Sequence, residues 1–279
     1  MAHIFDLTPK ERKQRQIDRM NEEPGDLNEA DGYNCEKCKN RGFVFHMTED
    51  KAPNGETVYG ETSTPCQCRV IRNSIRRMKR SGLENIVKDC TFDKYEVTEA
   101  WQESIKAAAE KFAAEVHSLD KKWFFMGGAV GCGKTHLCTA IARKLLLDGC
   151  EVRYMLWVDE SAKLKAAVND GSKYLELIEP IKNAQVLYID DLFKVQRDKR
   201  GNVVQNPTPA DFKLAYEIIN HRSMNPDLIT IVSCEWYVSE IVTLDYAVGS
   251  RIYEKTKTNA INISRDENRN HRTKDMQVI

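Results

Sequence analysis

The sequence predicts an α/β fold, a parallel sheet covered by helices on both faces, with a small cysteine-bearing module ahead of it. Three observations predict it. From about Cys90 to residue 264, strand and helix patterns alternate, the texture of parallel strands joined by crossover helices. Four glycines crowd Gly127–Gly133, between an apolar strand and a helical stretch. Upstream, Cys35-x₂-Cys38 and Cys66-x-Cys68 bracket a short turn-rich segment.

Composition narrows the function classes. Hydrophobic residues are 41% of the 279 and charged residues 30%, a folded chain with a charged surface. Lys plus Arg equals Asp plus Glu, 42 against 42. That excludes an overall basic coat for nucleic acid and leaves room for a local patch. No apolar run approaches the roughly 18 residues of a membrane span. Met1–Met20 lacks the apolar core of a secretory signal. A cytoplasmic location is expected, where the nine cysteines are thiols or metal ligands before they are disulfides.

The elements follow in order. Residues 1–31 form a polar arm in which Thr8 and Pro9 open a short helix; it reads equally as a mobile arm or a docking peptide. Phe43-Val44-Phe45 and Thr57-Val58-Tyr59 are strand candidates around the turn Pro53-Asn54-Gly55. Residues 69–80 read as a basic helix ended by Ser81-Gly82. Trp101, Ile105, Ala109, Phe112, Val116 and Leu119 make a helical stripe. Strands are expected at Trp123–Met126, Val152–Val158, Val186–Ile189, Leu228–Val232 and Ile261–Ile263. Helices are expected over 134–147, 159–169 and 173–182, after Thr208-Pro209, and at Trp236–Val242; a polar loop spans 194–207.

Gly128-Ala-Val-Gly131-Cys132-Gly133-Lys134-Thr135 satisfies G-x-x-x-x-G-K-[ST]. Glycines let backbone N–H groups wrap phosphates without Cβ clashes. The helix that follows turns its positive end toward them. Lys134 is expected to reach the β- and γ-phosphates of ATP and Thr135 to ligate Mg²⁺. Cys132 reads as filler that lends its backbone, and His136 closes the nucleotide-binding set. About 55 residues on, Val186-Leu-Tyr-Ile-Asp190-Asp191 ends a buried strand in two carboxylates. At that edge Asp190 would hold Mg²⁺ and Asp191 would orient or polarise the attacking water.

Each cysteine pair can present two thiolates to one ion, which suits tetrahedral Zn²⁺. The stretch between them is too short and polar for a packed core, so the module is expected to need the metal to fold. A redox Cys-x-x-Cys is the competing reading, but no βαβ unit accompanies it. His46 is an alternative ligand. The other five cysteines read as ordinary small residues. The helix after them carries Arg69, Arg72, Arg76, Arg77, Lys79 and Arg80, suited to phosphates, to an acidic partner, or simply to solvent.

These pieces together resemble the AAA+ helicase loaders of the DnaC and DnaI type, bacterial or phage-encoded. The segments that carry the resemblance are the cysteine module, Thr91-Phe92-Asp93-Lys94-Tyr95, Ile189-Asp190-Asp191-Leu192, Ile231-Val-Ser-Cys-Glu235 and Gly249-Ser250-Arg251-Ile252. The resemblance implies a zinc module over 32–89 that grips a DnaB-type replicative helicase, and an AAA+ ATPase over 90–279. It places Phe92 or Tyr95 beside the adenine, Ser233 to Glu235 at the sensor of the γ-phosphate, and Arg251 as a finger into a neighbour's ATP. It also implies self-association into a helical or ring-like oligomer and engagement of single-stranded DNA, to which Lys163, Lys165 and Lys173 of the 159–182 insertion could contribute. Asp191 stands where most AAA+ enzymes have Glu, although loaders commonly share the Asp-Asp pair, and its shorter arm predicts slow hydrolysis; the Arg251 finger makes that hydrolysis assembly-dependent. Only 15 residues follow position 264, so a reduced lid is expected, with Arg269 and Arg272 as second-sensor candidates or as solvated tail. The alternatives are an IstB-like transposition helper ATPase and a nucleotide-switched DNA-binding adaptor with little hydrolysis.

Overall fold

The computed structural model describes residues 7–80, 89–194, 196–197, 203–205, 207–266 and 269–271. The chain divides into two compact units, one up to Arg76 and one from Arg77 on.

The first unit opens with α1 (Pro9–Glu22). Thr8 caps it, and Glu11 reaches back to the Thr8 amide at 2.8 Å, two orphan groups satisfied reciprocally. This helix packs on a hairpin. Ile17 is buried, and the Asn21 amide both donates to the Phe45 carbonyl (3.0 Å) and accepts from the Phe45 N–H (2.9 Å). A short α2 (Leu27–Asp31) ends at Gly32 in the left-handed region. The hairpin pairs β1 (Phe43–Lys51) with β2 (Thr57–Pro65), antiparallel, Phe43 opposite Pro65. Both strands run well beyond the expected apolar triplets. α3 (Cys68–Arg80) follows. It buries Ile71, Arg72 and Ser74. The side chains of Arg77, Lys79 and Arg80, and the expected stop at Ser81-Gly82, lie outside the described residues.

The second unit holds α4 (Ala100–Glu115), β3 (Trp123–Gly128), α5 (Lys134–Leu147), β4 (Val152–Leu156), α6 (Trp157–Ala166), α7 (Gly171–Lys182) and β5 (Val186–Leu192). A small antiparallel pair follows, β6 (Gln196–Arg197) and β7 (Val203–Gln205), where a loop was expected. Then come α8 (Pro209–Ser223), β8 (Ile229–Cys234), α9 (Val238–Leu244), α10 (Tyr246–Thr256) and β9 (Ala260–Ile263). Five strands form one parallel sheet in the order β4-β5-β8-β3-β9. Every residue of β3 and β8 is buried, as a sheet covered on both faces requires.

Three expectations are corrected. The second strand stops at Leu156, not Val158, because Trp157 turns into the core (3% exposed) and meets the Phe193 ring edge-on at 5.5 Å. The helix expected at Trp236–Val242 starts at Val238. Residues 246–256 form a helix that local pattern did not reveal; Asp245 caps it by accepting the Val248 N–H at 2.8 Å.

Arg222 locks the far edge of the sheet. It is fully buried and donates to Thr230 Oγ1 and to the carbonyls of Ile181, Lys182, Ala184 and Ile229, at 2.6–3.3 Å. Burial lowers its pKa to about 9. The carbonyl dipoles, with no carboxylate among these partners, hold the charge. No helix among the described residues is long and apolar enough to cross a membrane.

Candidate functional site

The glycine turn connects β3 to α5 at the carboxyl edge of the sheet, where open α/β folds bind ligands. Gly128 has φ +108, and the Ile263 carbonyl stands where a Cβ would go. The next amide, Ala129 N–H, donates to that same carbonyl at 3.1 Å, so β9 buttresses the loop. Gly133 has φ +89 and the Tyr95 ring lies against it. A side chain at either position would meet both backbone strain and a wall.

Lys134 is buried, and its ammonium is turned onto the loop's own carbonyls, Gly128 O (3.0 Å) and Ala129 O (2.5 Å). A cation held only by neutral oxygens is poised for an anion. Cys132 is buried and donates to Ala129 O at 2.9 Å; burial raises its thiol pKa, so it is the protonated filler its place in the motif suggests.

The two acids lie beside this loop. Asp190 is 4% exposed and saturated with hydroxyls. Tyr188 donates to Oδ1 (2.9 Å), Tyr154 to Oδ2 (2.9 Å), Thr135 to Oδ1 (3.2 Å), and Ser233 also donates to Oδ1. Burial, then the nearby carboxylate, drives both phenol pKa values up, which keeps them donors. Thr135 and Asp190 thus stand together as a hard-oxygen pair suited to Mg²⁺.

Asp191 differs in every respect. It is half-buried with φ +54, and Phe193 beyond it has φ +55. The β5–β8 register shifts between Ile189 and Leu192. Non-glycine residues in this region cost of order 1 kcal/mol and persist when surroundings hold them. Here Ser233 Oγ accepts the Asp191 N–H (3.3 Å), and the Trp236 indole donates to the Phe193 carbonyl (2.9 Å). The bulge turns Asp191 away from Asp190 and onto Lys194, whose ammonium also contacts Glu235. Burial opposes the Lys194 charge, but Glu235 and Asp191 outweigh it and raise its pKa. Ser233 and Glu235 therefore divide the labour at the end of β8: one binds the acids, the other the lysine.

A further wall beside the glycine turn is built by the Thr91–Tyr95 segment. His136 bonds the Thr91 carbonyl (2.8 Å) and meets the Tyr95 ring edge-on at 5.3 Å. Tyr95 is buried, its hydroxyl 3.4 Å from Cys132 O, and burial pushes its pKa up to about 12. Of the two aromatic candidates, Tyr95 carries these contacts; Phe92 is half-buried beside it. Residues 269–271 lie across the same loop. The His271 N–H donates to Gly131 O (3.1 Å), its ring bonds Gln102 (2.7 Å), and the Arg269 guanidinium covers the Trp101 ring at 4.9 Å. Arg272 lies outside the described residues.

Arg251 does not join this constellation within its own chain. It bonds Asn220 Oδ1 (3.0 Å) and Ala247 O (2.8 Å) and covers Tyr216 at 4.9 Å. Lys163 and Lys165 are paired with Glu160 and Asp211, both at 2.7 Å. Sequence reasoning missed Tyr154, Tyr188 and Lys194. Tyr188 stands two residues before Asp190 and so shares its face, and Tyr154 is its register partner on β4.

In the first unit the four predicted cysteines converge. Cys35 and Cys66 sulfurs are 3.8 Å apart, Cys38 and Cys68 sulfurs 3.4 Å, and all four lie within 4.8 Å of one another, buried. Tetrahedral Zn–S bonds of about 2.3 Å place sulfurs roughly 3.8 Å apart, so the donor set fits Zn²⁺. Lys39 and Asn40 take positive φ to form the knuckle, and the Gly42 N–H donates to Cys38 Sγ at 3.3 Å. Burial raises Cys38, but Gly42 and the neighbouring sulfurs outweigh it and lower it to about 7. Behind the sulfurs, Arg72 donates to Asp31 (2.5 Å) and Asn40 (2.9 Å), and the Cys35 N–H donates to the same Asn40 oxygen (2.8 Å). His46 is exposed and bonded to Thr64, apart from the cluster.

Known proteins similar to this chain fall into a few related groups. The sequence profile of the IstB-like ATP binding proteins matches residues 66–205, half of the chain. The phage-like element PBSX protein XkdC of Bacillus subtilis (strain 168) is 30% identical over 236 residues, 81% of this chain and 80% of its own. The replicative helicase loader DnaC of Escherichia coli (strain K12) is 28% identical over 132 residues, 47% of this chain and 54% of its own. The crystal structure of DnaI superposes with a TM-score of 0.50 at 20% identity, covering 67% of this chain and 93% of that one, a likeness of fold. On the profile match and the XkdC relationship, the chain belongs to the family of IstB-like ATP binding proteins.

Proposed function

We propose that the protein is an ATP-controlled loader that binds a DnaB-type replicative helicase and delivers it to single-stranded DNA. The observation that carries this reading is the pairing, in one chain, of a four-cysteine module with a glycine turn whose Lys134 lies on its own carbonyls and whose Thr135 meets Asp190. The sequence similarity to a replicative helicase loader adds to it. In this reading residues 32–89 meet the helicase and residues 90–279 form the ATPase. The amides of the Gly128–Gly133 turn cradle the phosphates, and Lys134 swings from its carbonyls to the β- and γ-oxygens. Thr135 and Asp190 hold Mg²⁺, which when bound neutralises charge on the phosphate oxygens. Asp191 orients the attacking water once Lys194 releases it, and Ser233 senses the terminal phosphate through its bond to Asp190. Arg251 completes the site of a neighbouring copy, so turnover depends on self-association. The cysteines hold Zn²⁺, which when bound stabilises the knuckle.

The test is to mix the full-length protein with the replicative helicase of its host and weigh the complexes with ATP, ADP and no nucleotide. A complex whose mass changes with nucleotide is expected. No complex in any state would overturn the loader reading and move the weight to an IstB-like transposition helper. The engaged Lys194 favours one further reading, a nucleotide-switched adaptor; turnover that stays negligible with helicase and single-stranded DNA present would select it.

A further inference from the structure

The first unit carries a cleft that neither the zinc site nor the ATP site uses. It encloses about 480 Å³ and is lined by Arg41, Arg69, Arg72 and Arg76, with Phe43 among its walls. Asp26 is the one acid among its described lining residues. Acids and bases balance over residues 7–76 as a whole. Four guanidinium groups in one concavity are therefore a local concentration of charge, not a reflection of a basic module.

The arginines are not equivalent. Arg72 is buried and bonded to Asp31 and Asn40, so it supports the wall. Arg41 is half-buried over the Phe45 ring at 5.4 Å, and its Nε and Nη2, both shielded from solvent, have no hydrogen-bond partner. Buried donors without acceptors cost free energy, and an oxyanion would recover it. Arg69 and Arg76 stand exposed on the first and third turns of α3. Phe43 is 41% exposed at the start of β1, its ring edge-on to Phe45 at 6.3 Å.

We infer that this cleft binds single-stranded nucleic acid, with Arg41, Arg69 and Arg76 on the phosphodiester backbone and a base stacked on Phe43. Guanidinium forks match phosphate oxygens, and an exposed aromatic ring beside cations is the stacking platform of single-strand binders. An acidic peptide would occupy the cations and leave the ring without a role. The inference extends the loader reading to the place where the strand is held, and its test uses neither helicase nor nucleotide, so the two can fail separately.

The experiment measures binding of a fluorescein-labelled oligothymidylate to the full-length, zinc-loaded protein by anisotropy, across a salt series and without ATP. Arg69→Ala with Arg76→Ala removes two exposed cations without touching the core. The double variant is expected to weaken binding about tenfold at low salt and to flatten the plot of log affinity against log salt by about 1.4. Phe43→Ala is expected to weaken binding by between about fivefold and a hundredfold. Zinc content by elemental analysis checks that each variant keeps the module. A photo-crosslinkable oligonucleotide is expected to mark the peptide that contains Phe43. Unchanged affinity and slope, with crosslinks confined to residues beyond 90, would overturn the proposal. So would arginine-dependent binding of polyglutamate with none of the oligonucleotide, which would assign the cleft to an acidic protein instead.

Discussion

The Lys194 ammonium lies 3.1 Å from the Asp191 carboxylate, and the same nitrogen is 2.6 Å from Glu235. The acid that would order water is thus held by a cation, on backbone in the left-handed region. Lys194→Met is expected to raise basal ATP turnover several-fold in the protein alone, because it frees the carboxylate. Turnover at or below the wild-type rate would mean that Lys194 aims Asp191 instead of restraining it.

Asp190 depends on two tyrosines from neighbouring strands. Tyr154→Phe and Tyr188→Phe each remove one charge-assisted hydrogen bond, worth about 1.5–3 kcal/mol, and leave a buried carboxylate under-satisfied. Each is expected to lower the unfolding midpoint and to weaken Mg²⁺-dependent ATP binding about tenfold, by calorimetry and thermal denaturation. Loss of ATP affinity without loss of stability would show that the phenols serve ligand geometry alone.

The first unit has few apolar residues to hold it once the sulfurs part. Cys35→Ser is expected to drop zinc from about one per chain toward zero in elemental analysis. Chelation of the native protein should unfold the hairpin while the ATP-binding unit keeps its own transition. Full metal content in the variant would refute the zinc site.

Arg251 faces Asn220 and Tyr216, not the phosphate loop. If it serves a neighbour, Arg251→Ala loses about a thousandfold in stimulated turnover but keeps ATP binding. Mixing it with Lys134→Ala, which cannot hold nucleotide, should restore measurable hydrolysis, since each copy supplies what the other lacks. A mixture as inactive as its parts would exclude action in trans.

Thr208 and Asp211 cap α8, and Lys165 pairs with Asp211 at 2.7 Å. Burial raises the Asp211 carboxyl, but Lys165 and Thr208 outweigh it and hold it below its usual 3.8. A carboxylate depressed in the folded state stabilises above its unfolded pKa, and that contribution disappears as pH falls through the folded value. Asp211→Asn is expected to cost roughly 1 kcal/mol at neutral pH, and the gap in unfolding midpoint should close in acid. A gap independent of pH would mean that the amide fails for shape, not charge.

What was legible in the sequence is what is local in it. The phosphate loop, the two acids and the cysteine pairs each lie within a few residues, and the strands that carry them are short apolar runs between turns. The structure brings Thr135, Asp190 and Ser233 to one place and leaves Lys134 on the carbonyls of the adjoining turn. The hidden features depend on register or long-range burial. Tyr154 reaches Asp190 only because β4 lies in register with β5. Arg72 looks like one more cation on a charged helix, yet it is 2% exposed, because Asp31, forty-one residues earlier, is buried against it. Trp157 ends its strand early because the core takes its ring. Lys194 sits in a stretch whose polarity reads as loop, and only the bulge at Asp191 gives it a role.

The bond between Ala129 and Ile263 also sets an order of events during synthesis. A growing chain exposes Gly128 and Lys134 long before Ile263 has left the ribosome. Until then the Ala129 amide lacks its acceptor and one side of β3 is bare. The glycine turn therefore gains its Ile263 buttress only after β9 has been made. A translation product interrupted before β9 would carry the phosphate loop's sequence without the strand that braces its first glycine.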